Sequence, residues 1–244
     1  MKNHCEIKTE VKKTYVVKEK IVESATISTL KLTLPGGIPI YHPGQFINIY
    51  FPELHTPEGK AYSISGAPQE DTLSITIKAM GEFSSRLCSL CVGDTLSASL
   101  PYGYFYSESE ESDLIMIAGG IGVTPFRSMI KDSIGRNSPR KLALFHSSRT
   151  YVDLVFKKEF DHIQREYKSF NGFYFVTREK NSDSSVIYNR MNIGDILGNG
   201  PHKHIAGREF LVCGSISFVS EMWKGLRAEG VPEELIYTEA FFSH

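Results

Sequence analysis

A chain of 244 residues, 41% of them hydrophobic, can bury one large core or two modest ones. Its 27 Lys and Arg against 28 Asp and Glu give a formal charge of -1, a balance that argues against nucleic acid as a partner. No run reaches the roughly 20 apolar residues of a membrane span, and the opening MKNHCEIKTEVKK is polar where a signal peptide needs an apolar segment, so the expectation is a cytoplasmic protein without a membrane partner.

The first hundred residues read as strands. KTYVVKEKIVESATISTLKLTL (13–34), FINIYF (46–51) and TLSITIK (72–78) are rich in β-branched residues with partial alternation, and PGG, HPG, PEG and GD punctuate them. Short strands and turns at this density predict an antiparallel barrel or sandwich. KAYSISGAP (60–68) lies between two predicted strands; its tyrosine and alternate serines offer a flat heteroaromatic ring a face and hydroxyl donors, or are solvated surface positions. GEFSSRL (81–87) opens a short helix and offers N–H groups and hydroxyls to an anion, or is a plain helix cap. The four cysteines, Cys5, Cys88, Cys91 and Cys213, are too scattered for a disulfide framework. Cys88 and Cys91 read as small apolar packing on a partly buried short helix, with a redox pair as the alternative.

Residues 96–105, ending in LPYGYF, close this region, and the acidic, serine-rich YSESEESD (106–113) reads as a linker with nothing to bury. The period then changes. An apolar strand at 114–118 runs into G-x-G-x-x-P at 120–125 and a helix over 124–134. Strand, glycine turn and helix form a phosphate-binding arrangement or a ligand-free corner. KLALFHSS (141–148), GFYFVT (172–177), EFLVCGS (209–215) and LIYTEAF (235–241) are further strands. A helix is expected from about 151, with Phe156, Phe160, Ile163 and Tyr167 at helical spacing, and another in FVSEMWKGLRAEG (218–230), stopped by Gly230 and Pro232. The alternation predicts a doubly wound parallel sheet with residues 119–124, His146 to Arg149, Thr177, Arg178, Cys213, Gly214 and Glu239 along one edge.

Taken in order, KAYSIS, GEFSSRL, VGDTL with LPYGYF, GGIGVTPF, VCGS and TEAF resemble the ferredoxin-NADP reductase superfamily of flavoproteins, from roughly residue 10 to the C-terminus. The resemblance implies a two-domain chain: a flavin-binding antiparallel β-barrel over 1–106, then a nicotinamide-nucleotide-binding α/β doubly wound domain over 112–244. The family's R-x-Y-S motif matches at Lys60, Tyr62 and Ser63, with lysine replacing arginine and losing its bidentate fork. Lys60, Ala61, Tyr62, Ser63, Ile64, Ser65, Lys78, Gly81, Phe83 and Ser84 would hold FAD, Tyr62 packing on its ring. Gly120, Gly122, Thr124 and Pro125 would approach the nucleotide pyrophosphate, with Cys213 and Gly214 by the nicotinamide. Thr177, Arg178 and Arg190 would hold the 2'-phosphate of NADPH, NADH being the other possible donor, with Arg149 a further cofactor-binding residue, and Asn192 stands where an adenine-stacking tyrosine is common. Phe241 would cover the flavin, a place its neighbour Phe242 could also take.

The implied activity is an NAD(P)H oxidoreductase in which Ser63, Cys213 and Glu239 are catalytic, hydride passes to FAD, and electrons leave to a separate acceptor: ferredoxin, flavodoxin, or an iron-sulfur or haem protein. Two alternatives stand beside it. One is an electron-transfer subunit of a larger redox complex, as in dihydroorotate dehydrogenase or sulfide-type reductases, whose C-terminal cysteine cluster this chain lacks. The other is a non-catalytic nucleotide-binding module of the same fold.

Overall fold

Alternation along Lys12–Val22 turns Tyr15 and Val17 inward and leaves Thr14 and Lys18 exposed, the signature of a strand with one wet face. The structure is a computed structural model and describes residues 11–180, 183–198 and 207–241; Cys5 and Phe242 lie outside them. Strands β1 (Lys12–Val22), β2 (Ile27–Thr33), β3 (Phe46–Tyr50), β4 (Lys60–Ser63), β5 (Leu73–Lys78) and β6 (Thr95–Ser99) form an antiparallel sheet in the order β4-β3-β6-β1-β2-β5. A bridge between Ile64 and Ile75, with the Ser65 N–H donating to the Ser74 carbonyl at 2.7 Å, joins the end strands and closes the sheet into a barrel. Leu30, Ile47, Ile49, Ile75 and Leu96 fill its interior, and helix α1 (Glu82–Ser89) adds Phe83 and Leu87.

The second sheet is parallel throughout. It comprises β7 (Asp113–Gly119), β8 (Leu142–Ser148), β9 (Phe170–Val176), β10 (Val186–Ile187), β11 (Arg208–Ser215) and β12 (Ile236–Phe241), in the order β10-β9-β8-β7-β11-β12. Leu114, Met116 and Ala118 point into one core with α2 (Thr124–Gly135) and α3 (Lys157–Glu166). Ile115 and Ile117 point into another with α4 (Ile193–Gly198) and α5 (Ile216–Ala228). Helices thus cover both faces, which is why the central strands read as unbroken apolar runs.

Four local expectations need correction. KAYS does not merely lie between strands: it is β4, paired with β3 through Phe46–Ser63 and Ile47–Tyr62. The helix expected from about 151 begins at Lys157, after a 3-10 turn at Tyr151–Asp153 and a left-handed Phe156 at φ 68°. Leu154, Val155 and Phe156 are all buried, a run no single helical face accommodates, and Tyr167 is exposed beyond the helix end. The 106–113 linker is pinned rather than loose: Tyr106 stacks on His42 at 4.8 Å, Glu110 pairs with Arg136 at 3.1 Å, and Arg140 donates to the Ser109 carbonyl. Cys88 ends α1 half-buried, whereas Cys91 lies past the helix and is exposed.

Candidate functional site

Strand order reverses at β7 and β11, and the crevice beyond their C-terminal ends is where an open parallel sheet binds ligands. The register places Cys213 between Ala118 of β7 and Glu239 of β12. From the barrel, the end of β4 reaches the same point: the Ser63 hydroxyl donates to Glu239 Oε1 at 3.0 Å, joining residues 176 positions apart. Burial pushes the Glu239 carboxyl up to about 7, against the lowering effect of the Ser63 hydroxyl. Burial, and then the nearby Glu239 charge, raise the Cys213 thiol well above its ordinary range, so it stays protonated near neutrality.

On the barrel side, Tyr62 is half-buried and stacks on Phe83 at 6.2 Å with 18° between the rings, and the Lys60 ammonium lies 5.5 Å from the Phe83 ring centre. Lys60 and Tyr62 share a strand face and Ala61 projects to solvent from the other. Gly81 precedes α1 with open space around it. The Ser84 hydroxyl is occupied locally, accepting from the Met80 and Gly81 N–H groups at 2.9 and 3.1 Å, which is the plain capping role. Three expected cofactor residues have other engagements. Ile64 is a barrel-core side chain, and the Ser65 hydroxyl bonds Thr76 at 2.9 Å in the barrel interior. Lys78 pairs with Asp153 of the second half at 2.8 Å.

On the sheet side, Gly120 adopts φ 56°, a left-handed conformation that favours glycine, with nothing within 4 Å of a Cβ position. Gly122 serves close approach, since a Cβ there would lie 2.4 Å from the Cys213 carbonyl oxygen. Buried Thr124 donates to the Ile121 carbonyl at 3.1 Å, and Pro125 occupies the first turn of α2, where its missing N–H costs nothing. The Thr177 and Arg178 N–H groups donate to the Ser148 and Arg149 carbonyls at 3.1 and 2.9 Å, lacing the ends of β8 and β9 together. Arg149, Thr177, Arg178 and Arg190 therefore line one cavity of about 530 Å³, completed by the start of α5. Among the described residues the guanidiniums of Arg149 and Arg178 have no hydrogen-bond or ion-pair partner, whereas Arg190 pairs with Glu221. Asn192 caps the Asp195 N–H at 3.1 Å rather than lining this cavity. Gly214 lies opposite Ala240, and Phe241, at the end of β12, packs half-buried against the α2 core. Sequence reasoning missed Glu221 and Asp153. Glu221 sits one turn into a helix that leaves the crevice directly after β11, and that position was its available signal.

The oxidoreductase NAD-binding domain family matches residues 116–224. Among solved structures, the flavohem-like FAD/NAD binding domain of nitric oxide dioxygenase from Vibrio cholerae O1 biovar El Tor superposes with a TM-score of 0.82 at 26% identity, covering 94% of this chain and 98% of that one. The chain has a ferredoxin-NADP reductase-like fold, and its second half is similar to the oxidoreductase NAD-binding domain family. A ferredoxin NADP+ reductase from Neisseria gonorrhoeae shares the fold at a TM-score of 0.78 and 20% identity, covering 95% of this chain and 99% of that one. The flavohemoprotein of Rhizobium meliloti (strain 1021) is 27% identical over 241 residues, and that of Bacillus subtilis (strain 168) 28% over 237. They cover 93% and 94% of this reductase-like chain, which spans only 60% and 59% of theirs. Among the described residues no helix is long and apolar enough to cross a membrane.

Proposed function

We propose that the chain is an FAD-dependent NAD(P)H oxidoreductase that takes hydride from a nicotinamide nucleotide and passes electrons to a separate redox protein. The observation that carries this reading is the meeting of Ser63 of β4 with Cys213 and Glu239 of the neighbouring strands β11 and β12, where the two sheets face each other. The residues present fit the two cofactors. Tyr62 offers a half-buried aromatic face with the Lys60 cation nearby, the open Gly120 admits a phosphate, and Arg149 and Arg178 supply positive charge. A bound flavin supplies the chemistry the side chains lack, accepting a hydride as an electron pair and releasing electrons singly.

The protein's own contribution is binding, orientation and proton control. Lys60, Tyr62 and Gly81 would hold the flavin, with Phe83, Ile64 and Ser65 supporting them from within the barrel. Gly120, Gly122 and the start of α2 take the nucleotide pyrophosphate. Arg149, Thr177 and Arg178 would favour the 2'-phosphate of NADPH, and Phe241 would cover the flavin. Cys213 keeps a neutral, compact thiol beside Glu239 and adds no charge there. Glu239, with a carboxyl held near 7, is protonated in part of the molecules at neutral pH and can give or take a proton through Ser63.

Because the matched flavohemoproteins continue beyond the shared length, a haem-bearing partner is the first acceptor to test, ahead of ferredoxin or flavodoxin. The decisive experiment is the visible spectrum of the purified protein after flavin loading, then anaerobic titration with NADPH and, separately, NADH. Rapid bleaching by either nucleotide is expected, faster with NADPH. A protein that takes up neither FAD nor FMN overturns the proposal and leaves a nucleotide-binding module.

A further inference from the structure

His146 ends up fully buried on β8, between Ala118 of β7 and Tyr174 of β9, on a strand otherwise lined by Leu142, Leu144 and Phe145. Its Nε2 lies 2.9 Å from the Gly120 carbonyl oxygen and 3.4 Å from the Ser148 hydroxyl, while Nδ1 is buried with no partner among the described residues. The tautomer follows from these partners. A carbonyl can only accept, and the Ser148 hydroxyl already donates its proton to the Asp153 carbonyl at 3.0 Å, so Nε2 carries the hydrogen and Nδ1 is the bare acceptor. Burial lowers the ring to about 4, against the raising influence of the Gly120 carbonyl and Asp153, so it is neutral across the working pH range. An orphaned acceptor in a dry core is unfavourable, and a leucine would fill the same space without it. The histidine is therefore explained by what Nε2 does.

We propose that His146 is a positioning residue for the nucleotide, holding the Gly120 carbonyl so that the glycine turn keeps the left-handed geometry that leaves room for a pyrophosphate. Gly120 is open on the side where a Cβ would stand, so packing there restrains nothing, and the hydrogen bond from the sheet supplies the restraint. The same set of contacts continues outward. Ser148 holds the Asp153 carbonyl, and the Asp153 carboxylate accepts from Thr150 at 3.0 Å and from Lys78 of the barrel at 2.8 Å. The turn that meets the nucleotide is thus held by His146, and beside it the loop that carries Arg149 is held by bonds that run through Asp153 to the flavin half.

The inference rests on the crevice being a nicotinamide-nucleotide site, and the test separates the two. Flavin-loaded wild type, His146→Leu and His146→Gln are titrated with ADP-ribose, which carries the pyrophosphate without the nicotinamide, and KM and kcat are measured with NADPH and ferricyanide. Gln keeps a side-chain donor; Leu does not. Losing one buried donor is expected to weaken ADP-ribose binding in His146→Leu about tenfold and to raise KM more than it lowers kcat, with His146→Gln recovering most of both and all three proteins retaining flavin. Should His146→Leu not fold, His146→Met takes its place in the comparison. Wild type that does not bind ADP-ribose sinks the site itself. Wild type that binds, with Leu or Met variants binding equally well or Gln no better than they, overturns the role of His146 alone.

Discussion

Replacing Glu239 by Gln should remove a pH dependence of stability that this one carboxyl imposes. In the folded protein its titration is moved from an ordinary 4.5 up to about 7, chiefly by burial. In the unfolded chain it ionises near the ordinary value. Between these points the folded state binds the proton more tightly, so stability from this group is fully present below about pH 4.5, falls as pH rises, and is gone above about 7. At 1.36 kcal/mol for each pH unit, the span corresponds to a ceiling of about 3 kcal/mol, reduced by whatever water the crevice admits. The amide of the Glu239→Gln variant would still accept the Ser63 hydroxyl bond but cannot ionise. The difference in Tm between the variant and wild type is therefore expected to be near zero at pH 4.5 and to grow in the variant's favour to several degrees by pH 8, at roughly 2–4 °C per kcal/mol for a chain of this size. Thermal melts of both flavin-loaded proteins, followed by far-UV circular dichroism and flavin fluorescence over this range, read the difference directly, since other titrating groups cancel. A difference that stays flat with pH would show that Glu239 is solvated like any surface carboxylate, and its assignment as a proton-holding group would fall with it.

Tyr62→Ala is expected to raise the flavin dissociation constant tenfold or more, about 1.4 kcal/mol, because it removes the half-buried aromatic face; unchanged flavin occupancy after gel filtration would count against that role. Arg178→Ala should raise KM for NADPH about tenfold while leaving NADH within twofold, as loss of a charge-assisted bond to phosphate predicts, and equal effects on both would remove Arg178 from a 2'-phosphate site. Arg127→Ala strips donors from the Glu159 carboxylate and the Ser65 carbonyl and should cost about 2–4 kcal/mol in urea denaturation. Ser128→Ala should cost only about 1 kcal/mol, because the Gly66 carbonyl keeps the Tyr41 hydroxyl as a donor; the reverse order would refute this reading of the interface.

Legibility in the sequence followed the range of the interaction. Residues 114–135 could be read as strand, glycine turn and helix because each part is set by its neighbours: Pro125 by its missing N–H, Gly120 by its positive φ. The two sheets followed from the change in hydrophobic period near residue 113. Ser63 beside Glu239 was available only through resemblance, because a contact across 176 positions leaves no local trace. Three things were out of reach for a physical reason. The pairing of Lys78 with Asp153 and of Ser65 with Thr76 is set by how the barrel closes and how the halves meet. The start of α3 was misplaced because Phe156 has helical spacing to Phe160, yet its own backbone is left-handed. Glu221 could be marked by its place early in the helix after β11, but its pairing with Arg190 comes only from the way α5 leaves the crevice.

Helix α2 ties the glycine turn of the second half to the end of β4 in the first. Its first residues, Thr124 and Pro125, close the glycine turn at the nucleotide crevice. Its next two polar residues turn the other way: Arg127 donates to the Ser65 carbonyl at 2.8 Å and Ser128 to that of Gly66, the two positions that follow β4 after Ile64. One turn farther, Lys131 pairs with Glu70 and Asp132 accepts from Gln69 at 2.6 Å. The segment that leaves β4 is thus bound along two turns of the helix that opens at the glycine turn. Those side chains recur on one helical face, so a rotation of α2 that shifted Gly120 would also drag the exit of β4 and with it Ser63. The proposed hydride transfer demands that donor and acceptor keep a fixed separation and alignment, and a single rigid element gripping both the glycine turn and the exit of β4 meets that demand more directly than two domains each ordered by its own core.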